Sequence, residues 1–150
     1  MIRQANAADL HAVETIVTRA YTKYLARIGA PPGPMLDDYA ARIAAQQAFV
    51  IGDPITGLIV LIDEPDHLLL DNIAVDPNAQ GSGLGRILMD FADTEARRRG
   101  FAELRLYTHQ TMVENIALYN RLGWRETGRG VSSGLARVFF SKLTPTAAES

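Results

Sequence analysis

Apolar residues near the start of the chain recur at helical spacing. Five of them lie three, four or seven residues apart, which places them on one face of a helix: Leu10, Val13, Val17, Ala20 and Tyr24. Asn6 or Asp9 can cap the start of this helix. The proline- and glycine-rich segment 29–34 ends it, because proline cannot continue a helix. We expect a second helix over residues 35–46, and Ile2 to Gln4 is a candidate strand.

The pattern then changes to short apolar runs. Three runs, at 48–51, 57–62 and 67–75, predict strands, and the turns between them, 52–54 and 63–66, are short enough for antiparallel hairpins. Leu84, Ile87, Leu88, Phe91 and Ala92 then line one face of a longer helix, which ends in three arginines and Gly100.

The last third alternates strands with one short helix. Residues 102–107 alternate as a strand, and Thr111 with Glu114 has the form of a capping box for a helix over 112–122. Residues 124–127 and 135–143 predict two final strands. The predicted order, β-α-α-β-β-β-α-β-α-β-β, indicates an α/β (α+β) fold with a mixed central sheet and helices on its faces.

Composition limits the classes of function. The chain has 150 residues and a net charge of -2, which suits one domain and gives no positive field to attract nucleic acid. There is no cysteine, and the three histidines are far apart in sequence, so we expect no metal site. We expect a folded domain over 1–143 with a loose tail over 144–150. The start lacks a leader-like apolar stretch and no long apolar run occurs, so we expect a cytoplasmic protein with no membrane contact.

A glycine-rich turn carries the most informative chemistry. Gly81, Gly83 and Gly85 lie where a strand passes into a helix, so backbone N–H groups and the helix dipole can converge on an anion such as a pyrophosphate. A Walker A loop is excluded because no Gly-Lys-Ser/Thr follows. A dinucleotide fingerprint is excluded because Arg86 stands where it needs glycine. A glycine-rich helix start that binds nothing is the alternative.

Two motifs resemble those of one enzyme family. The segment 80–85, Gln-Gly-Ser-Gly-Leu-Gly, is similar to motif A of the GNAT superfamily of N-acetyltransferases. About thirty residues on, the segment from Asn115 through Tyr119 to Trp124 resembles motif B of that superfamily. The resemblance covers nearly the whole chain. It implies the GNAT-like fold of about seven strands and about four helices, and acetyl-CoA as cosubstrate with no metal.

The resemblance implies a cofactor site between two splayed strands, the one that ends at Val75 and the one that ends near Tyr107. Main-chain groups of the first strand would bind the pantetheine arm, and the glycine turn would bind the pyrophosphate. The residues so assigned are Ile73, Ala74, Val75, Gln80, Gly81, Ser82, Gly83, Leu84, Gly85, Arg86, Asn115 and Tyr119.

Attack of an amine on a thioester needs an oxyanion donor, a proton acceptor and a donor for the departing sulfur. Asn115 and Tyr119 are four residues apart and share a helix face. By resemblance Tyr119 is the group near the sulfur; a core aromatic and a surface asparagine are the alternatives. Because a phenol has a pKa of about 10 and a thiol about 8.5, hydrogen bonding to the thiolate is the easier role for Tyr119.

The proton acceptor is less defined. Asp71 lies where several family members carry a glutamate that acts through water, although the aspartate side chain is shorter. A solvated carboxylate is the alternative. His109 follows a strand end and is either a base or a loop histidine, and Glu114 is explained by the capping box.

The first two helices would form the acceptor wall. Tyr24 and Arg27 can share a face and hold an acceptor carboxylate, with Asp71 at the amine and Asp37 or Asp38 holding a cationic group; apolar packing and helix capping are the alternatives. We predict transfer of an acetyl group to a primary amine of a small molecule. The alternatives are a protein N-terminus or lysine as acceptor, a non-catalytic acyl-CoA sensor or regulatory module, and a nucleotide binder. The resemblance allows a homodimer.

Overall fold

The structure is a computed structural model that describes residues 1–132 and 134–144. Within these residues the chain forms seven strands: β1 (Ile2–Gln4), β2 (Ala48–Ile51), β3 (Gly57–Asp63), β4 (Leu68–Val75), β5 (Glu103–His109), β6 (Arg125–Ser132) and β7 (Leu135–Leu143). The same residues form six α-helices: α1 (Leu10–Tyr21), α2 (Leu25–Ile28), α3 (Gly33–Leu36), α4 (Tyr39–Ala44), α5 (Leu84–Arg98) and α6 (Val113–Arg121).

The strands form one mixed sheet in the order β1-β2-β3-β4-β5-β7-β6. Every neighbouring pair is antiparallel except β4 and β5, which are parallel. The connection between these two strands is α5, which is the length of crossover that a parallel pair requires. The mixed α/β sheet that the sequence predicts is therefore confirmed.

Apolar side chains cover both faces of the sheet. On one face, Val13 and Val17 of α1 pack with Leu58 and Val60 of β3. On the other face, Leu88 and Ala92 of α5 pack with inner residues of β3, β4, β5 and β7, among which Phe140 is only 1% exposed. The cores hold the sheet between helical layers and fix the central strands that carry the site.

The predicted second helix is wrong as a continuous element. Residues 35–46 form the end of α3 and then α4, and the backbone is extended at Asp37, with ψ 153°. The Asp38 side chain accepts a hydrogen bond from the N–H of Ala41 at 3.1 Å and so caps α4. An aspartate that caps a new helix competes with continuation of the preceding one, which explains the break.

The last hairpin is longer than the sequence predicts. β6 runs to Ser132, well beyond the predicted end at Thr127, because it pairs with β7 through the glycine-containing segment 128–131, with an irregularity between Glu126 and Gly128. Thr144 is buried and its hydroxyl donates to the carbonyl of Phe101 at 2.8 Å. Positions 145–150 lie outside the described residues, so the domain limits and the loose tail stay predictions.

Candidate active site

β4 and β5 separate after a short ladder. They pair only at Leu68 with Leu104 and at Leu69 with Arg105, in the part of the chain that the structure describes. The carbonyl of Ile73, farther along β4, accepts a hydrogen bond from the Tyr21 hydroxyl at 3.1 Å. Since the N–H and C=O of a strand residue point to the same side, the N–H of Ile73 also faces away from β3. The opening therefore presents main-chain donors and acceptors to a ligand.

Two cavities meet at this opening. One has a volume of about 350 Å³ and extends towards the glycine turn, and we call it the cofactor-side cavity. The other has a volume of about 280 Å³ and extends between α3, α4 and the ends of β5 and β7, and we call it the acceptor-side cavity. They share four lining residues, Tyr21, Ile73, Asn115 and Tyr119, and so lie side by side.

The cofactor-side cavity collects most of the residues assigned to it from sequence. Ten of the twelve line it: Ile73, Ala74, Val75, Gln80, Gly81, Gly83, Leu84, Gly85, Asn115 and Tyr119. Ser82 and Arg86 do not; both are exposed, and the Ser82 hydroxyl donates to the carbonyl of Ala79. The side chains of Lys23 and Arg121, which no sequence motif indicated, also line this cavity.

The glycine turn has the geometry of an anion cradle. Gly81 and Gly83 have φ values of 84° and 86°, a region that favours glycine, and Gly83 is the N-cap of α5. A Cβ added at either position would meet no described atom within 4 Å. The turn thus leaves open space beside the positive end of a 15-residue helix. These residues fit a pyrophosphate group.

Tyr119 has a fixed ring at the junction of the cavities. The ring packs against Trp124 and Phe140, with centroid distances of 6.2 and 5.6 Å. Its hydroxyl makes no hydrogen bond within the described residues, and burial raises the pKa of Tyr119 well above its usual value. The side chain is therefore both a core aromatic and a neutral O–H donor beside the opening.

A β-bulge places Asp71 beside Asn72. Along β4, Asn72 pairs with Val60 and Leu70 pairs with Leu61, so Asp71 is an extra residue in its strand. Asn72 bonds to Tyr21 of α1 and Tyr39 of α4, and Asp71 lies 3.8 Å from Arg42 of α4. The side chains of Asp71 and Asn72 therefore both point to the face of the sheet that α1 and α4 cover.

The Asp71 carboxylate forms part of a charged cluster on the wall of the acceptor-side cavity. Arg42 bonds to Asp37 at 3.0 Å and lies 3.8 Å from Asp71, and the Tyr107 hydroxyl lies 3.5 Å from Asp71. Burial raises the pKa of Asp71, against the lowering effect of Arg42. A partly desolvated carboxylate of this kind accepts a proton more readily than a solvated one.

A buried hydrogen-bond network holds this part of β4. The Tyr21 hydroxyl donates to the side-chain oxygen of Asn72 at 2.6 Å, and the amide of Asn72 donates to the Tyr39 hydroxyl at 2.9 Å. Tyr39 in turn donates to the carbonyl of Pro34. The network links α1, α3 and α4 to the bulge, and so positions Asp71.

His109 is poorly arranged to take a proton. Its Nδ1 accepts from the backbone N–H of Thr111 at 3.2 Å, which assigns the proton of the neutral ring to Nε2. Burial and then the charge of Arg137 lower the pKa of His109. His109 lines the acceptor-side cavity, but it has a weaker claim than Asp71 to the role of base.

The predicted capping box at Thr111 is wrong. Met112 is the N-cap of α6, and Glu114 bonds instead to Arg27 at 2.6 Å and to the Tyr24 hydroxyl at 3.3 Å. Tyr24 and Arg27 do share a face, but the carboxylate they hold in this structure is that of Glu114. Tyr24 lines the cofactor-side cavity and Arg27 lines neither, so an acceptor role for them stays a prediction.

Several residues that line the acceptor-side cavity were not predicted as site residues from sequence, and three of them bear on its chemistry. Arg42 follows Tyr39 by three positions on α4. Tyr107 lies near the C-terminal end of β5, and Arg137 of β7 pairs with His109 of β5. Of the three, only Arg42 could have been found from the sequence, because its spacing from Tyr39 places both residues on one helix face. The other two meet through strand register, which a single sequence does not reveal.

Comparison with known proteins decides the family. The sequence model of the acetyltransferase (GNAT) family matches residues 10–124. The chain belongs to the GNAT family. The predicted family and fold of this GNAT protein are therefore confirmed, and the roles assigned to its glycine turn and to Tyr119 stay predictions.

Individual relatives match shorter stretches in sequence than in structure. The [ribosomal protein bS18]-alanine N-acetyltransferase of Escherichia coli K12 is 44% identical over 61 residues, which is 41% of either chain. The crystal structure of that Escherichia coli enzyme superposes over 98% of this GNAT chain and 95% of its own, with a TM-score of 0.75 and 25% identity. The PaiA N-acetyltransferase of Thermoplasma acidophilum, solved with coenzyme A, shares the fold with a TM-score of 0.76 and 16% identity, over 93% of this chain and 96% of its own.

Metal-binding clusters and membrane-spanning helices are both absent from the described part of this GNAT protein. Residues 1–132 and 134–144 contain no group of three or more His, Cys, Asp and Glu side chains that could hold a metal ion. None of the helices in these ranges is long and apolar enough to cross a membrane. The cytoplasmic location and the homodimer stay predictions.

Proposed function

We propose that this GNAT protein transfers the acetyl group of acetyl-CoA to a primary amine of a small acceptor, with both substrates bound together. Acetyl-CoA supplies an activated thioester. The cofactor-side cavity holds it along the edge of β4 and at the glycine turn, and the amine enters from the acceptor-side cavity. The observation that carries the proposal is the meeting of the two cavities at Ile73, Asn115 and Tyr119.

Asp71 is the proposed proton acceptor for the incoming amine. An amine reacts only when it is neutral, so the ammonium proton has to leave before the nitrogen–carbon bond forms. The partly buried carboxylate, held by Arg42, lies on the acceptor side of the junction and accepts that proton directly or through water. The main-chain N–H groups of β4 that face the opening are the proposed donors to the developing oxyanion.

Tyr119 is the proposed hydrogen-bond donor to the departing sulfur. When the carbon–sulfur bond breaks, the thiolate needs a donor close to the junction of the cavities. The raised pKa of Tyr119 makes full proton transfer to a thiolate unfavourable, since the phenol is a weaker acid than the thiol. A hydrogen bond from the neutral hydroxyl therefore accounts for its role better than general acid catalysis.

The first test measures binding and turnover separately. Calorimetric titration with acetyl-CoA is expected to show micromolar affinity, and NAD and ATP serve as controls. Release of coenzyme A is then measured with a panel of primary amines. Binding followed by acetylation of an amine supports the proposal. Binding without turnover on any amine contradicts it and favours an acyl-CoA sensor.

A peptide N-terminus is the second candidate acceptor. The Escherichia coli relative is named for acetylation of an alanine on ribosomal protein bS18, and its structure covers most of this chain. The acceptor-side cavity of about 280 Å³ favours a small acceptor instead. The panel therefore includes a short peptide that begins with alanine, and preference for it over every small amine would select this candidate.

A further inference from the structure

The acceptor-side cavity carries opposite charges on its two walls. Asp37 and Asp71 lie with Arg42 on the side of β4 and α4. Arg137 comes from β7 on the other side. The single charge of Arg42 is shared between two carboxylates, so the first wall is negative overall. The second wall carries the guanidinium of Arg137.

Tyr107 lies between the two charged walls. Its hydroxyl is 3.5 Å from Asp71, and the guanidinium carbon of Arg137 lies 4.3 Å from the centre of its ring. Gly33 approaches Arg137 from the acceptor wall, since a Cβ built there would lie 3.6 Å from a guanidinium nitrogen. The guanidinium is thus stacked on an aromatic face beside the cavity, and its N–H donors lie in its plane.

The charge of Arg137 acts on the groups around it. It opposes protonation of His109, its partner across the strands, and lowers that pKa in addition to the effect of burial. It also acts to lower the pKa of Tyr107, against the larger effects of burial and Asp71. The cavity therefore has a guanidinium at one end and carboxylates at the other.

We propose that the acceptor is a zwitterion, in which a carboxylate lies within a few bonds of the reacting amine and is bound by Arg137. This inference rests on the proposed acetyl transfer and names its substrate class. The planar guanidinium matches a carboxylate through paired hydrogen bonds, which gives orientation as well as affinity. With the carboxylate at Arg137, the amine of the same small molecule lies on the Asp71 side.

The rim of the cavity adds a preference for the side chain of the acceptor. Pro32, Pro34, Leu36 and Leu135 all line it, and Leu36 is 70% exposed. An α-amino acid with an apolar side chain meets all three requirements: an amine for the negative wall, a carboxylate for Arg137 and an apolar group for the rim.

A matched series of acceptors isolates the carboxylate. Leucine, leucinamide and isopentylamine share one branched chain and one primary amine, and only leucine carries the carboxylate. The amine of leucinamide has the lowest pKa of the three and so the largest neutral fraction near neutral pH. The supply of neutral amine therefore does not explain a preference for leucine over leucinamide. We expect kcat/KM for leucine to exceed that for both analogues by about tenfold or more.

Variants of Arg137 connect that preference to the residue. Arg137→Gln is expected to lower kcat/KM for leucine about tenfold. The same variant should change kcat/KM for isopentylamine less than about threefold and leave the affinity for acetyl-CoA unchanged. Arg137→Lys keeps the charge and is expected to retain part of the preference. Arg129→Gln, on the neighbouring strand, is the matched control and is expected to change neither value.

The outcomes separate the two proposals. Equal rates for leucine, leucinamide and isopentylamine, or a preference that survives in Arg137→Gln, would overturn the zwitterion assignment while leaving acetyl transfer intact. If no amine is acetylated, the acceptors are titrated calorimetrically into the complex with coenzyme A. Binding of leucine but not leucinamide then supports the subsite and overturns acetyl transfer, and binding of neither overturns both.

Discussion

At the scale of single residues, the site combines a fixed aromatic donor with a partly desolvated acidic group. Tyr119 is held by ring packing, so removal of its hydroxyl leaves those contacts in place. Asp71 is held in a cluster where burial opposes its charge. The two groups are therefore open to different tests, one kinetic and one thermodynamic.

Tyr119→Phe is expected to lower kcat by about 10- to 100-fold with little change in the affinity for acetyl-CoA, because the donor to the sulfur is lost while the ring stays packed. Steady-state kinetics gives kcat, and calorimetry gives the affinity. Unchanged turnover would remove Tyr119 from the mechanism. Unchanged thermal stability is the control for correct folding.

Asp71→Asn is expected to stabilise the fold at pH 8. Burial raises the pKa of Asp71 in the folded state, so the folded protein binds this proton more tightly than the unfolded chain does. That contribution to stability is present at low pH and is lost as pH rises through the raised pKa. The variant should therefore gain in free energy of unfolding above that pKa, and its advantage should shrink below about pH 4.

Asp9→Asn is the control of opposite sign. Its hydrogen bond from Arg3, at 2.8 Å, lowers the pKa of Asp9, so that variant should lose stability at pH 8 and approach the unchanged protein at low pH. Urea denaturation at several pH values measures both. The same pH dependence for the two variants would contradict the assignment of the Asp71 shift to burial.

At the scale of elements, the glycine turn and α5 form the proposed pyrophosphate cradle. Gly83→Ala is expected to weaken acetyl-CoA binding about tenfold or more, because a Cβ at φ 86° distorts the turn and also enters the open space beside the N-terminus of α5. Calorimetric titration measures the loss.

Gly100→Ala separates backbone strain from loss of the cradle. Gly100 follows the other end of α5 and has a φ of 83°, and a Cβ added there would likewise meet no described atom within 4 Å. The two variants should lose similar stability, about 1–2 kcal/mol, and only Gly83→Ala should lose affinity. If both variants bind acetyl-CoA as the unchanged protein does, the glycine turn is not the cradle.

The sequence predicts an element well where its apolar residues repeat regularly, and poorly where pairing with another strand determines its limits. α5 and β7 were found within a residue of their observed limits because their apolar residues repeat regularly. The break after Leu36 was missed because the sequence does not show that Asp38 caps a new helix instead of lying within a continuous one. The extension of β6 was missed because Gly128 and Gly130 have low strand propensity, and β7 provides their pairing.

The part of the site that a local sequence pattern encodes was predictable, and the part that strand register assembles was not. Residues of the glycine turn are contiguous in sequence, so a local motif finds them. Arg137 and Tyr107 approach one another only through the register of β5 and β7, and Asp71 faces Arg42 only because of the bulge. Contacts that depend on register leave no local pattern.

At the scale of the whole molecule, the opening between β4 and β5 is a gap within the sheet that a ligand can bridge. Acetyl-CoA at about one hundred times its dissociation constant is expected to stabilise the fold by about 2.7 kcal/mol. For a domain of this size that raises Tm by about 5–10 °C. A thermal-shift measurement tests this, with equal concentrations of ATP and NAD as controls; an equal shift with either control would contradict selective binding.

The bulge at Asp71 also determines which changes of chain length the protein tolerates. Removal of one residue from a strand ordinarily turns every following side chain to the opposite face. Here Leu70 and Asn72 already pair with adjacent residues of β3, so deletion of Asp71 leaves a regular ladder and keeps each remaining side chain of β4 on its own face. We expect the shortened chain to fold and bind acetyl-CoA with greatly reduced turnover, as circular dichroism, calorimetry and coenzyme A release would show. Asp71 is then an insertion that a lineage can lose in one step, which converts a transferase into a binding protein.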